Sequence, residues 1–527
     1  VKRAAVFTVV WVVETFVALF MPRVGTHKLL LTPGIEPLRW TLGRWRAWRT
    51  VERAAKRVPA YGAFLAEAGR ASRPFRLDTR GGIAAAISGL PEMDKESYVK
   101  RWSIPERCVD GRLPRRGVVV DESSGSSGTP TSWVRGPDER QATRQLLQLG
   151  FSRTAKDLPK QPFVLNAFSL GAWATGMNVT ASLTESSMIK SIGPDRDKIV
   201  QTMREFGTDF TYIICSYPPF LKALFEDDRI DWSEYTIVAA FGGEGISENM
   251  RAHIEQYAQA VLGSYGASDL EINLGIETPF SVQLRRAIAA SPELSAALTK
   301  QAEYGVLPMV FQFNPFGYLI ETNELGELVV TITRSENISP RIRYNIHDRG
   351  HVVRMRPLRQ TLRAHGFDEL ADAAELDLPL LFHYGRSDLS VDYNGAVVAP
   401  DVVRDVVYGD PELLEAVENH RLISYEDDRG DRQLHIAFQL ATGAGDFDSD
   451  AARPAVIAEL RRLNKDFSNA IRTAPPGTLP TVAFYPYRTG PFREDGKKLK
   501  NEYVWQLPAG SVEQWELDLT WVAPKEA

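Results

Sequence analysis

Short β-rich runs alternating with helical ones predict an α/β chain built on a largely parallel sheet. Three observations carry that prediction. The runs FVLNAF, DFTYIIC, YTIVAAFGGE and AVLGSYGASD are apolar, rich in β-branched and aromatic residues, and mostly end in Gly, Ser or Asp. Helical stretches such as DRDKIVQTMREFG and SENMRAHIEQYAQ separate several of them, the pattern of strand–helix–strand units whose active-site turns lie at strand ends. After HYGRSDLS (383–390) the pattern changes to a β-like stretch with a glycine turn (VDYNGAVVAP), the helix APDVVRDVVY, strands near HRLISYEDD and RQLHIAFQL, and the helix PAVIAELRRLNKDFSNAIR. This last part reads as a small α+β domain.

The chain has 527 residues, more than one ordinary domain. Its 44% apolar and 24% charged content excludes disorder and low complexity. With 62 basic against 67 acidic residues the net charge is −5, which gives no general attraction to nucleic acid. Two cysteines cannot build a disulfide framework or a four-thiolate zinc site, so a reduced, cytoplasmic setting is expected.

Residues 4–21, AAVFTVVWVVETFVALFM, form the most apolar segment, with Lys2 and Arg3 before it and Arg23 and Lys28 after it. As a helix it is ~27 Å long, barely the hydrocarbon thickness of a bilayer. Its Val, Phe and Leu side chains contribute roughly −3 to −6 kcal/mol to insertion and central Glu14 costs about +2.5 to +3.5. The sum is near zero, and both a membrane anchor and a docked helix fit. Trp11, Phe16, Phe20 and the basic flanks favour loose association with the cytoplasmic membrane face. No small-x-small site follows, so a removable signal is not expected.

Residues 37–69 have a helical rhythm ending at a glycine. From about 115 the reading is strand–turn–helix: RGVVVDESSGSSGTP runs from a buried-looking strand into a Gly/Ser turn, and DERQATRQLLQLGF continues as a helix. LGELVVTITR and ISPRIRYNIHDRGHVVRM read as antiparallel strands, and 354–380 as a charged, partly helical insertion with no functional account.

The turn Ser123-Ser124-Gly125-Ser126-Ser127-Gly128-Thr129-Pro130 is the most informative motif. It is no Walker loop, lacking the closing Gly-Lys-Ser/Thr. Hydroxyls and glycines at this density after a strand suit a loop that surrounds phosphate oxygens with N–H and O–H donors; a flexible linker is the alternative, less suited to a position between a strand and a regular helix.

Five further segments follow in order, and with this loop the chain resembles the adenylate-forming acyl-CoA synthetase superfamily, in particular its phenylacetate–CoA ligase-like branch. SSGSSGTPT is similar to that family's phosphate loop, FGGEGIS (241–247) to the turn lying against adenine, and SYGASDLE (264–271) to the YGxSE segment. GELVVT with RIRYNIHDRG resembles the GELV and RYRTxD pair, YGRSDLSVDYNGAVVAP the hinge and its continuation, and GPFREDGKKLKNEY the loop carrying a catalytic lysine.

The resemblance implies a large multi-layer N-terminal domain of mixed sheets and helices with a small mobile α+β C-terminal domain. It sets the boundaries at 1–60 (a hydrophobic and helical extension), 61–384 and 385–527. It implies that ATP, with Mg²⁺, activates a carboxylic acid to an acyl-adenylate, releasing pyrophosphate, and that a thiol, most often that of coenzyme A, displaces AMP. ATP contacts fall to Ser123 through Thr129, Gly242, Gly243, Glu244, Tyr265, Gly266, Ala267 and Ser268. Asp348 takes the ribose hydroxyls, Arg386 the ribose or phosphate, and Asp388 is the hinge, with Gly395 the turn glycine beyond it. Lys497 is the catalytic lysine, with Lys498 and Lys500 crowding it. Asp269 stands where the family has its Mg²⁺-ligand Glu, with Glu271 in reserve. Phe168, Trp173, Phe241 and Ala267 border a hydrophobic acyl pocket suited to an aryl or fatty acid. Thr129 stands where the family commonly has lysine, which, with Asp269, keeps an inactive nucleotide-binding relative open; an amine, carrier-protein or lipid-linked acceptor also remains open.

Overall fold

The computed structural model describes residues 2–20, 34–70, 75–123, 131–136, 139, 160–171, 174–184, 187–304, 306–334, 337–387, 390–444, 447–493, 503–507 and 512–525. An antiparallel hairpin comes first, β1 (Val119–Ser123) with β2 (Thr131–Arg135). The strand before the Gly/Ser turn is thus followed by a strand, with 138–151, the expected helix, almost wholly outside the described residues. Nor is β1 buried along its length, since Val120 is exposed.

Among the described residues the main sheet has eleven strands: β3 (Gln161–Asn166), β4 (Met188–Ser191), β5 (Phe210–Ser216), β6 (Thr236–Phe241), β7 (Ala260–Tyr265), β8 (Gly275–Ile276), β9 (Met309–Gln312), β10 (Tyr318–Thr322), β11 (Glu327–Ile332), β12 (Tyr344–Val353) and β13 (Leu380–Arg386). Their order is β10-β11-β12-β13-β9-β8-β7-β6-β5-β3-β4. The half from β7 to β4 is parallel and reproduces the four apolar runs; the other half is antiparallel, as read for 327–353. Val164, Ile213 and Val238, with Phe163, Ile214 and Ala239 on the other face, are buried, as a sheet covered on both sides requires.

The 1–60 segment is not set apart. The helix Glu36–Arg57 buries Trp40, Ala47, Trp48, Val51 and Ala54 in the same cluster as the sheet, and Val6 joins them. Pro59 stops this helix and opens the next, Pro59–Glu67, so the 37–69 rhythm is broken in two. The helix Lys2–Phe20 lies on Glu36–Arg57, and its Glu14 meets Arg46 at 2.9 Å and also Arg49. That pairing explains an acid in an apolar helix and corrects the expectation of a spanning anchor: among the described residues no helix is long and apolar enough to cross a membrane. Trp11, Val12, Phe16 and Leu19 stay on its outer face. The 354–380 insertion gains a packing role, with Met355, Leu358 and Leu362 buried against Phe280 and Leu284.

After β13, a second apolar cluster contains only residues from Val391 onward. It is built on the hairpin β14 (Val391–Tyr393) and β15 (Ala396–Val398) and a sheet ordered β18-β17-β16-β19. Those strands are β16 (Val417–Glu426), β17 (Arg432–Leu440), β18 (Thr481–Tyr485) and β19 (Val504–Gln506). Asn394 and Gly395, both at positive φ, make the two-residue turn. The last long helical run divides at Asn464, whose side chain caps Lys465–Thr473.

Candidate active site

A cavity of about 700 Å³ opens beyond the carboxyl ends of β3, β6 and β7 and is closed by the small unit. Strand ends of a parallel sheet leave backbone groups unpaired, and the turns that follow are free to carry ligand-binding residues. Here they are Phe168 and Ser169 after β3, Gly242–Gly245 after β6, and Gly266–Asp269 after β7.

Gly266 is needed for space: a Cβ there would overlap the backbone oxygens of Glu271 and Ile272, so the turn folds tightly on itself. That fold holds Asp269 buried, its Oδ2 accepting from Tyr344 Oη at 2.8 Å and its Oδ1 3.4 Å from Lys95 Nζ. Glu271 goes the other way. Its carboxylate is spent on Arg334 and Tyr318 and does not line the cavity. Among the described residues no group of three or more His, Cys, Asp or Glu could hold a metal. Asp269, unlike Glu271, faces the cavity, and a single carboxylate of this kind is what a Mg²⁺ held mainly by phosphates and water would need.

The antiparallel register sets Asp348 of β12 directly opposite Arg386 of β13, and both line the cavity. Asp348 Oδ2 accepts from Tyr265 Oη at 2.7 Å and lies 3.2 Å from His383 Nε2. Burial alone would raise this carboxyl; His383, Arg386 and the tyrosine outweigh it and hold Asp348 below the usual carboxylate range. Burial pushes the Tyr265 phenol well up, which keeps it a donor. Its ring stacks on Phe311 at 5.6 Å.

Glu244 lines the cavity with a buried side chain, pushed up to about 7 by burial against the opposing charge of Arg432, 4.0 Å away in the small unit. Ser268 and Ala267 are at the wall, as is Phe168; Phe241 instead sits in the core under the Arg251 guanidinium. The 124–130 loop, Trp173, Asp388 and Lys497 lie outside the described residues. Glu122, just before that loop, does line the cavity.

Sequence reading missed Lys95, His383 and Asp466, all cavity-lining. His383 lay in plain view in HYGRSD, two residues from Gly385 on the strand that pairs with Asp348's own. His347, beside Asp348, is partly exposed at the cavity wall, at positive φ, with Nδ1 3.3 Å from Glu327.

At the level of sequence, no protein-family profile and no curated protein matches the chain. In three dimensions it is similar to 2-hydroxyisobutyryl-CoA ligase, solved with 2-HIB-AMP and CoA in the thioesterification state. The TM-score is 0.61 and the identity 14%, over 90% of this chain and 91% of that one. Amide bond synthetase McbA from Marinactinospora thermotolerans is a looser match, with a TM-score of 0.45 and 15% identity over 84% and 90% of the two chains. The chain has the fold of the adenylate-forming ligase superfamily.

Proposed function

We propose that this protein activates a hydrophobic aryl or fatty acid with Mg²⁺–ATP, forming an acyl-adenylate and pyrophosphate, and then transfers the acyl group to a thiol, that of coenzyme A. What supports this most is the convergence on one cavity of four segments far apart in sequence: the 242–245 turn, the 265–269 turn, Asp348 and Arg386. They have the residue types the reaction needs, in the places the fold uses.

Among the described residues Tyr265 and His383 contact Asp348 at Oδ2, which leaves Oδ1 to accept from a ribose hydroxyl. Gly242 and Gly243 bring backbone, without side chains, against the adenine plane. Asp269 would hold the Mg²⁺ that accompanies ATP, which would offset phosphate charge, and Lys95, paired with Asp269, would supply a further cation beside the attacking carboxylate. Lys497 adds charge at the α-phosphate as the pentacoordinate state develops. Phe168 and Ala267 border the acyl group.

Incubation with ATP and aryl, medium-chain and long-chain acids, with and without coenzyme A, tests the reading by mass analysis of products. An acyl-adenylate without coenzyme A and a thioester with it are expected. Adenylate with no thioester would contradict the choice of acceptor. Lys497→Ala is expected to slow adenylate formation by about 10²–10³-fold while sparing thioester formation from pre-made acyl-adenylate.

A further inference from the structure

The small unit presents one face of the helix Lys465–Thr473 to the large unit. Two positions on that face dock: Asn469 Nδ2 donates to Ser169 Oγ at 3.1 Å, and Tyr217 Oη donates to Thr473 Oγ1 at 2.9 Å. Asp466, one turn before Asn469, lines the cavity and is only 9% exposed. Its place near the helix start does not explain it, because Asn464 already caps the helix by accepting from Phe467 N at 3.0 Å. Among the described residues none donates a hydrogen bond to the Asp466 carboxylate. A carboxylate buried in this way costs stability, and no packing contact here calls for one.

The charge that acts on Asp466 is Lys95, on the turn Lys95–Val99 of the large unit, flanked by Asp94 and Glu96 and ion-paired with Asp269. Burial, opposed by Lys95, pushes Asp466 up to about 7. The two half-reactions have opposite needs. Adenylation gathers negative charge on a phosphate and calls for a cation. Acyl transfer consumes a nucleophile that carries a proton at neutral pH, since a free thiol has a pKa of about 8.5, and calls for a base matched to the working pH.

We propose that Asp466 is the base of the transfer step, carried into the cavity by the small unit; this rests on the two-step reading given above. As the acceptor sulfur attacks the acyl carbon, the S–C bond forms and the S–H proton passes to an Asp466 oxygen. The bond between the acyl carbon and the phosphate oxygen breaks, and its electron pair leaves with AMP. Asp466 then releases the proton to water.

The test supplies chemically made acyl-adenylate and coenzyme A in single turnover to wild type, Asp466→Asn and Asp466→Glu, with ATP–pyrophosphate exchange measured alongside. Asp466→Asn is expected to slow transfer by about 10²-fold or more, with exchange close to wild type; Asp466→Glu is expected to keep much of the transfer. Wild-type transfer should rise with pH through about 7 and then level off. A rise that continues to the thiol's own pKa overturns the proposal even if the Asn variant does not fold. So does full transfer by Asp466→Asn, equal loss of both half-reactions in a folded variant, or a wild type that exchanges but transfers nothing. Absence of exchange in wild type overturns the adenylation reading as well.

Discussion

Asp348 shows how one residue's chemistry is set by its strand partners. The β12–β13 register puts Arg386 opposite it, His383 three residues earlier reaches the same carboxylate, and Tyr265 arrives from the parallel half of the sheet. Replacing it by Ala removes the charged acceptor proposed for the ribose hydroxyls and leaves the Tyr265 hydroxyl without its partner. Nucleotide affinity is expected to fall by about 1.5–3 kcal/mol, or roughly 10–150-fold, measurable by calorimetric titration with AMP; unchanged affinity would place the ribose elsewhere. Gly266→Ala should act differently, since the added methyl collides with backbone and not with a flexible side chain. It is expected to lower the unfolding temperature and to displace Asp269 at once. A variant as stable as wild type would show that the turn can open.

At the scale of elements, the helix Lys2–Phe20 docks on the large unit and, among the described residues, is not long and apolar enough to cross a membrane, for a physical reason. Its apolar run and central acid were legible, but what neutralises Glu14 was not: Arg46 and Arg49 are some thirty residues away and become neighbours only when two helices pack. Deleting residues 1–25 removes Phe7 from its packing against Trp48 and leaves two arginines without their acid. Removing one partner of a buried pair costs about 3–5 kcal/mol, so a lowered denaturant midpoint is expected; an unchanged midpoint would mean the helix is held by something else. The parallel strands were legible for the opposite reason. Their β-branched runs and terminal glycines are local signals, whereas TSWVR, five residues after a glycine-rich turn, is too short and mixed to announce the strand β2.

The whole molecule depends on how its two units meet. Lys222 Nζ lies 3.0 Å from Asp431 across that boundary, both side chains being nearly fully buried, and Lys222→Ala removes this cross-boundary cation, leaving Asp431 with Arg429 of its own unit at 3.6 Å. Looser docking is expected, seen as a larger radius of gyration in solution scattering. An unchanged radius would assign the docking to the Asn469–Ser169 and Tyr217–Thr473 contacts. Cross-boundary groups such as Lys95, Asp466 and Glu244 carry the least sequence signal, because each is an ordinary charged residue until the other unit covers it. The turns proposed to face the nucleotide were read from the order of their glycines and acids along the chain, through a family resemblance, and they line one cavity. That the order serves acid activation is the central claim, and carboxylate-dependent ATP–pyrophosphate exchange tests it most directly. Exchange stimulated by at least one hydrophobic acid, requiring Mg²⁺ and lost in Asp348→Ala, is the expected result; no exchange with any aryl, medium-chain or long-chain acid, and no binding of ATP or AMP, would contradict it.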